Sequence, residues 1–211
     1  MTESKFLQLC SILDTLLGPN GCPWDKKQTL DSLRQYVLEE TCELIDAIGD
    51  KNIEGMKEEL GDLLFNVIFL AKVAANEGHF TLDDTIDTIS DKLIRRHPHI
   101  FGDGPHLDTP EAVLAQWQEI KQQERVIPKS AMDSIPKSLP ALERARLIAK
   151  KVEKASFALD VSLDSSQEVR VGNELFQKVV DAEKEGIHAE FALQKLCLAM
   201  EKAYRNQEST K

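Results

Sequence analysis

The chain has 211 residues, 42% of them apolar and only 6% aromatic, and a formal net charge of −10. That length is enough to bury a good core in one or two domains, and the near absence of Val/Ile/Thr alternation favours helices over strands. The acidic balance argues against a nucleic-acid surface as the main function, though not against a nucleotide carried with its own metal.

The start, Met1-Thr2-Glu3-Ser4-Lys5, leads into an amphipathic run and not into a signal peptide, and no apolar stretch approaches a membrane span. Cys10, Cys22, Cys42 and Cys197 are scattered without metal-ligand spacing, so a cytoplasmic protein with reduced thiols is expected. Residues 5–17 place Phe6, Leu9, Leu13, Leu16 and Leu17 in a helical stripe, broken by Gly18-Pro19-Asn20-Gly21. The loop Gly21-Cys22-Pro23-Trp24-Asp25-Lys26-Lys27 follows. Its Trp24 reads either as a plug on the core or as a flat face for stacking a base. Thr29 caps a long helix running to Gly49-Asp50, and a second starts near Asn52 and ends near Asn76-Glu77-Gly78.

At about 100° per residue, Leu33, Val37, Leu44, Ala47 and Ile48 share one arc of the first long helix, and Glu40 falls inside it. Glu43 and Tyr36 lie at its edge, with Glu39 just beyond. On the second helix Met56, Leu60, Leu63, Leu64, Val67, Leu70 and Ala71 form the expected apolar arc, with Glu59 and Asn66 on one edge and Asp62 beside them. Most acidic clusters are solvated faces. Here two i, i+3 pairs on consecutive helices share the apolar side, and like charges held there need compensation. A divalent cation is the simplest, and an all-oxygen set suits Mg²⁺ or Mn²⁺ better than Zn²⁺.

Thr81 and Asp84 resemble a capping box opening a helix with Ile86, Ile89 and Leu93 inward, stopped by Pro98. Its end, Asp91-Lys92-Leu93-Ile94-Arg95-Arg96-His97-Pro98-His99, sets Lys92 and Arg96 four apart. They read either as cations complementing the helix dipole or as a clamp on phosphate oxygens. His97 and His99 suit a cap better than a metal. Thr109-Pro110-Glu111 opens a helix with Val113, Trp117 and Ile120 on one side. The Pro- and Ser-rich stretch before Pro140 looks like a linker, and helices follow to about Ser156, around Leu175, Phe176 and Val179, and around Phe191 to Met200. These last segments echo the first half: Leu60-Gly61-Asp62-Leu63-Leu64-Phe65-Asn66 returns as Val171-Gly172-Asn173-Glu174-Leu175-Phe176-Gln177, and Glu77-Gly78 as Glu185-Gly186. Asn173 and Arg170 stand where the first copy has Asp62 and Glu59. The expected organisation is a catalytic helical domain (1–125), a linker (126–138) and a shortened, degenerate relative of the first domain (139–211), with one metal site per chain.

The Gly21-Cys22-Pro23-Trp24-Asp25 loop, Glu39-Glu40-x-x-Glu43, Glu59-x-x-Asp62 and Asp91-Lys92-Leu93-x-Arg95-Arg96-His97-Pro98 together resemble the MazG family of nucleoside triphosphate pyrophosphohydrolases, over about residues 8–125. The resemblance implies an all-α four-helix bundle completed by a second copy of the chain. It implies Mg²⁺-dependent hydrolysis of NTPs or dNTPs to monophosphate and pyrophosphate, including house-cleaning of non-standard nucleotides. Metal binding carries over to Glu40, Glu43, Glu59 and Asp62. Catalytic roles fall to Glu39, Glu40 and Glu43, with the choice of general base open between Glu39 and Glu43. Substrate contacts fall to Trp24, Lys92, Arg95 and Arg96. The expected partners are the triphosphate and a second copy, with no membrane and no stable nucleic acid. The rival from another class is a non-catalytic helical interaction protein with an acidic groove. A ferritin-like di-iron bundle wants Glu-x-x-His pairs, which neither acid pair supplies.

Overall fold

The computed structural model describes residues 4–124, 130–155 and 164–209. It divides into two units, residues 1–123 and 124–211. Among the described residues the structure is all-α.

The first unit is built on an antiparallel hairpin of its two longest helices, α2 (Leu30–Gly49) and α3 (Ile53–Asn76). α1 (Lys5–Leu17) packs on α3, as does α4 (Leu82–Arg96); the short α5 (Pro98–Phe101) and α6 (Pro110–Gln123) pack on α4. Local chemistry sets the starts. The Thr29 hydroxyl accepts from Ser32 N–H while Ser32 Oγ accepts from Thr29 N–H, a reciprocal capping box at α2. Asn52 Oδ1 accepts from Gly55 N–H at α3, and Thr81 and Asp84 close the box at α4.

The turn between α2 and α3 is tight. Asn52 N–H donates to Ala47 O at 2.9 Å and Lys51 N–H to Ile48 O, with Lys51 itself at φ 56° in the left-handed region. This is a Schellman closure with a lysine where glycine is preferred. It fixes one register along the hairpin. Ala47 lies against Gly55, where an added Cβ would come 3.5 Å from the Ala47 side chain. Farther along, Leu33 and Phe69 share the core with Leu13, Ile68 and Val73. Carried along two helices of equal rise, that register sets Glu43 opposite Glu59, Glu40 opposite Asp62 and Tyr36 opposite Asn66; the charges agree, since among the neighbouring charges Glu43 acts most on Glu59 and Asp62 most on Glu40.

The core corrects part of the arc expected on α3: Ala71 is buried and Leu70 packs on the core, but other members are not. Leu60, Leu64 and Val67 are 56, 42 and 42% exposed, whereas Asn66, Phe69 and Val73 are buried. The helix is apolar on more than one side, so periodicity alone could not choose the side that α1 and α2 cover. On α4, Ile86, Ile89 and Leu93 were expected inward and are exposed, as is Ile48 on α2.

The second unit contains α7 (Ala141–Glu153), α8 (Gln167–Lys184) and α9 (Ala189–Glu208), which pack on one another. Within the stretch expected to be a linker, Ala131–Ser134 forms a 3₁₀ turn packed on α7, and Ile135 is buried. Residues 125–129 of that stretch lie outside the described residues, as does Ser156; the helix expected to reach it ends at Glu153. α3 and α8 end identically. Gly78 and Gly186 sit at φ 76° and 73°. His79 N–H bonds Ala74 O at 2.9 Å, and Ile187 N–H bonds Ala182 O at 2.8 Å. The echo in sequence is therefore also an echo in backbone at this turn.

Candidate metal centre

The α2–α3 register carries acids from both helices to one place. Glu40 and Glu43 come from α2 and Glu59 from α3, each offering a carboxylate oxygen within 4.8 Å of the others. Glu40 and Glu59 are half-buried and Glu43 is exposed. Burial raises the Glu40 carboxyl above its ordinary value, and the charges of Asp62, Glu43 and Glu39 add to it, with the Glu59 side chain opposing by a hydrogen bond. Glu59 is raised too, by desolvation and then by Glu43, Glu58, Glu40 and Asp62. The charges that act most on these two groups are all carboxylates. Such a donor set, all oxygen and unneutralised, fits a hard divalent cation. Asp62 and Glu39 stand outside the triplet, both exposed, and reach it through their charge.

The other expected site residues fall into two groups. Trp24, 53% exposed, stands beside the α2 residue one turn before Glu40: its ring lies edge-on to Tyr36, centroids 5.7 Å apart at 69°. It is therefore not a core plug. One cation of α4 meets α6. The Arg96 guanidinium lies 5.2 Å from the Trp117 ring centroid, and both Lys92 and Arg96 are half-buried while Arg95 is exposed. His97 bonds the Leu93 carbonyl through Nδ1 at 2.7 Å and meets Trp117 edge-on at 5.0 Å. His99 Nδ1 pairs with Gln116 Oε1 at 2.8 Å. The two histidines thus cap and brace the end of α4. Trp117, expected only as part of a helical stripe, is also the platform for Arg96. The available signal was an aromatic near a cationic helix end.

Three acids brought together by two long antiparallel helices, in a unit that also carries a cationic helix end, mark this as an all-α protein with one carboxylate cluster among its described residues. Comparison with known proteins narrows this. The model of the MazG nucleotide pyrophosphohydrolase domain matches residues 28–101. A protein of Escherichia coli (strain K12), named nucleoside triphosphate pyrophosphohydrolase, is 40% identical over 227 residues, covering 95% of this chain and 86% of its own. The chain belongs to the MazG family.

A Thermotoga maritima relative named nucleoside triphosphate pyrophosphohydrolase/pyrophosphatase MazG is 46% identical over 153 residues, 72% of this chain and 58% of the relative. A Bacillus subtilis (strain 168) relative, uncharacterized protein YabN, is 48% identical over 147 residues; the match spans 69% of this chain and 30% of that longer protein. A solved structure of a mazG-related protein from Thermotoga maritima aligns with TM-score 0.49 and 25% identity, covering 55% of this chain and 98% of its own. No described helix is long and apolar enough to cross a membrane.

Proposed function

We propose that the chain hydrolyses nucleoside triphosphates between the α- and β-phosphates, releasing a nucleoside monophosphate and pyrophosphate. The observation that carries this reading is the convergence of Glu40, Glu43 and Glu59 within 4.8 Å, in a member of a family whose relatives are named for that activity. Glu40, Glu43 and Glu59, with Asp62 one turn along α3, would hold Mg²⁺, or Mn²⁺ in its place. The bound ion supplies charge neutralisation on phosphate oxygens and acidifies a water. The rest of the chemistry is assigned to the chain. A water oxygen bonds to the α-phosphorus, the α–β bridging bond breaks, and the water's proton passes to a carboxylate, Glu39 or Glu43. Lys92 and Arg96, with Arg95 beside them, neutralise the leaving pyrophosphate. Trp24 offers its exposed face to the base.

A second copy of the chain completes the bundle in this reading. The exposed Leu60, Leu64 and Val67 on α3 and Ile86, Ile89 and Leu93 on α4 support it, because helix faces of that apolar content are ordinarily covered. The second unit keeps the turn of the first but has Asn173 and Arg170 in place of the acids. It is assigned a supporting and not a catalytic role. Pyrophosphate release from a panel of NTPs and dNTPs, including non-standard bases, with Mg²⁺, with Mn²⁺ and with chelator, tests the proposal. Metal-dependent release is expected. A panel in which nothing is hydrolysed leaves the non-catalytic reading standing.

A further inference from the structure

Asn66 is the buried polar side chain that the proposed reaction does not use. It is only 6% exposed, and among the described residues its amide makes no hydrogen bond. Buried amides are almost always paired with protein or water. It is not sealed off either: the sealed, unpartnered side-chain atom among the described residues is His188 Nδ1, in the second unit. The Asn66 amide therefore borders space that solvent or a ligand can enter.

Its position says which ligand. On α3, Asn66 lies one turn, about 6 Å, beyond Asp62, and about 10 Å along the axis from Glu59. On α2, the hairpin register sets it level with Tyr36, one turn from Glu40. Tyr36 carries the exposed Trp24 ring on its edge. A nucleotide whose α-phosphate sits at the glutamate triplet thus has, about one sugar's length away, the Trp24–Tyr36 pair on the α2 side and an amide without a protein partner on α3. A carboxamide presents a donor and an acceptor side by side. Base edges present the complementary pair in an order that differs from base to base.

We infer that Asn66, set opposite the Trp24–Tyr36 pair, hydrogen-bonds the edge of the substrate's base and sets which base is preferred. The inference rests on the proposed triphosphate hydrolysis.

The test is kcat/KM of the full chain with Mg²⁺ for ATP, GTP, CTP, UTP and their 2′-deoxy counterparts, for wild type, Asn66→Leu and Asn66→Asp. Wild type is expected to rank the bases. In Asn66→Leu, which keeps the volume, the spread between best and worst base should shrink by about tenfold or more, mainly through KM. In Asn66→Asp, which keeps the shape but loses the donor, the order should change. A base ranking is insensitive to the fraction of enzyme folded, so a merely structural role would not move it. An unchanged ranking in both variants overturns the inference, as does a change confined to the ribo-to-deoxyribo ratio. In either case wild-type turnover leaves the proposed function intact. Wild type without turnover on any nucleotide overturns both.

Discussion

Glu40 and Glu59 face each other across the α2–α3 hairpin with carboxylate oxygens within 4.8 Å. The charges that bear most on the pair are those of other carboxylates. Two carboxylates so placed repel, and the fold holds them together because Leu33, Phe69 and the turn at Lys51 fix the hairpin on either side. The Glu40→Gln variant removes one charge at constant shape. We expect metal-dependent turnover to fall by about two to three orders of magnitude. Melting in chelator should occur at the same temperature as wild type or higher, since repulsion is relieved. Turnover and a thermal melt on the same sample decide it; wild-type rates in Glu40→Gln would remove the triplet from the mechanism.

Under the proposed function, a divalent ion at the triplet relieves the same repulsion. A ligand that binds only the folded state at 100 times its Kd stabilises by about 2.7 kcal/mol. Mg²⁺ and Mn²⁺ are expected to raise the melting temperature of wild type, and Glu59→Gln should lose most of that rise. Ca²⁺ serves as the comparison for ion size. No shift with any divalent ion would count against a metal centre here.

Leu64 tests the second copy. It is exposed on α3 with Leu60 and Val67, and a charge there has no effect on the core of an isolated chain. We expect wild type to sediment as a dimer and Leu64→Glu to sediment as a monomer with its far-ultraviolet circular dichroism retained. A monomeric wild type would leave those faces uncovered and end the dimer reading.

Much of this site was legible in the sequence because it depends on local rules. Thr29, Asn52 and Thr81 cap the helices that carry the acids, and caps are short-range chemistry. The i, i+3 spacing of Glu40 with Glu43 puts both on one side of α2 whatever surrounds it. The phase of α3 was legible only in part. Leu60, Leu64 and Val67 are as apolar as Phe69 and Val73, and only tertiary packing selects the second set. Asn66 and Tyr36 fell at the edges of the expected arcs for the same reason. Their juxtaposition depends on the hairpin register, which the backbone at Asp50–Asn52 determines. The meeting of Arg96 with Trp117 joins α4 to α6, and no periodicity within either helix encodes it.

Lys51 offers a backbone test of that register. At φ 56° it occupies a conformation that costs an L-residue about 1–2 kcal/mol. Lys51→Gly relieves this but gives the unfolded chain more freedom. The balance is a stabilisation of about 0.5–1 kcal/mol, read from urea unfolding at constant m-value. Lys51→Val is expected to destabilise. The reverse order would mean that the Schellman turn does not hold α2 against α3.

The second unit carries a distinct part of the pH dependence. The Arg146 guanidinium donates two hydrogen bonds of 2.7 Å to Glu143, and His188 Nε2 lies 3.0 Å from the same carboxylate. The hydrogen bonds from Arg146 hold Glu143 below its ordinary value, against some opposing desolvation. Lys150, bonded at 2.7 Å, lowers Glu183 likewise. A depressed carboxylate binds fewer protons folded than unfolded. Its stabilisation is therefore complete above the unfolded value, about 4.3. It is lost as the pH falls through the lower folded value. We expect the melting temperature to decline with pH below about 4.3, and Arg146→Met to flatten that decline. With side chains 16% and 18% exposed, the Arg146–Glu143 pair is well shielded. Leaving Glu143 without Arg146 should cost about 2 kcal/mol at neutral pH, less than for a fully buried pair because water and His188 remain to solvate the carboxylate. The same acid slope in wild type and Arg146→Met would place the acid sensitivity elsewhere in the chain.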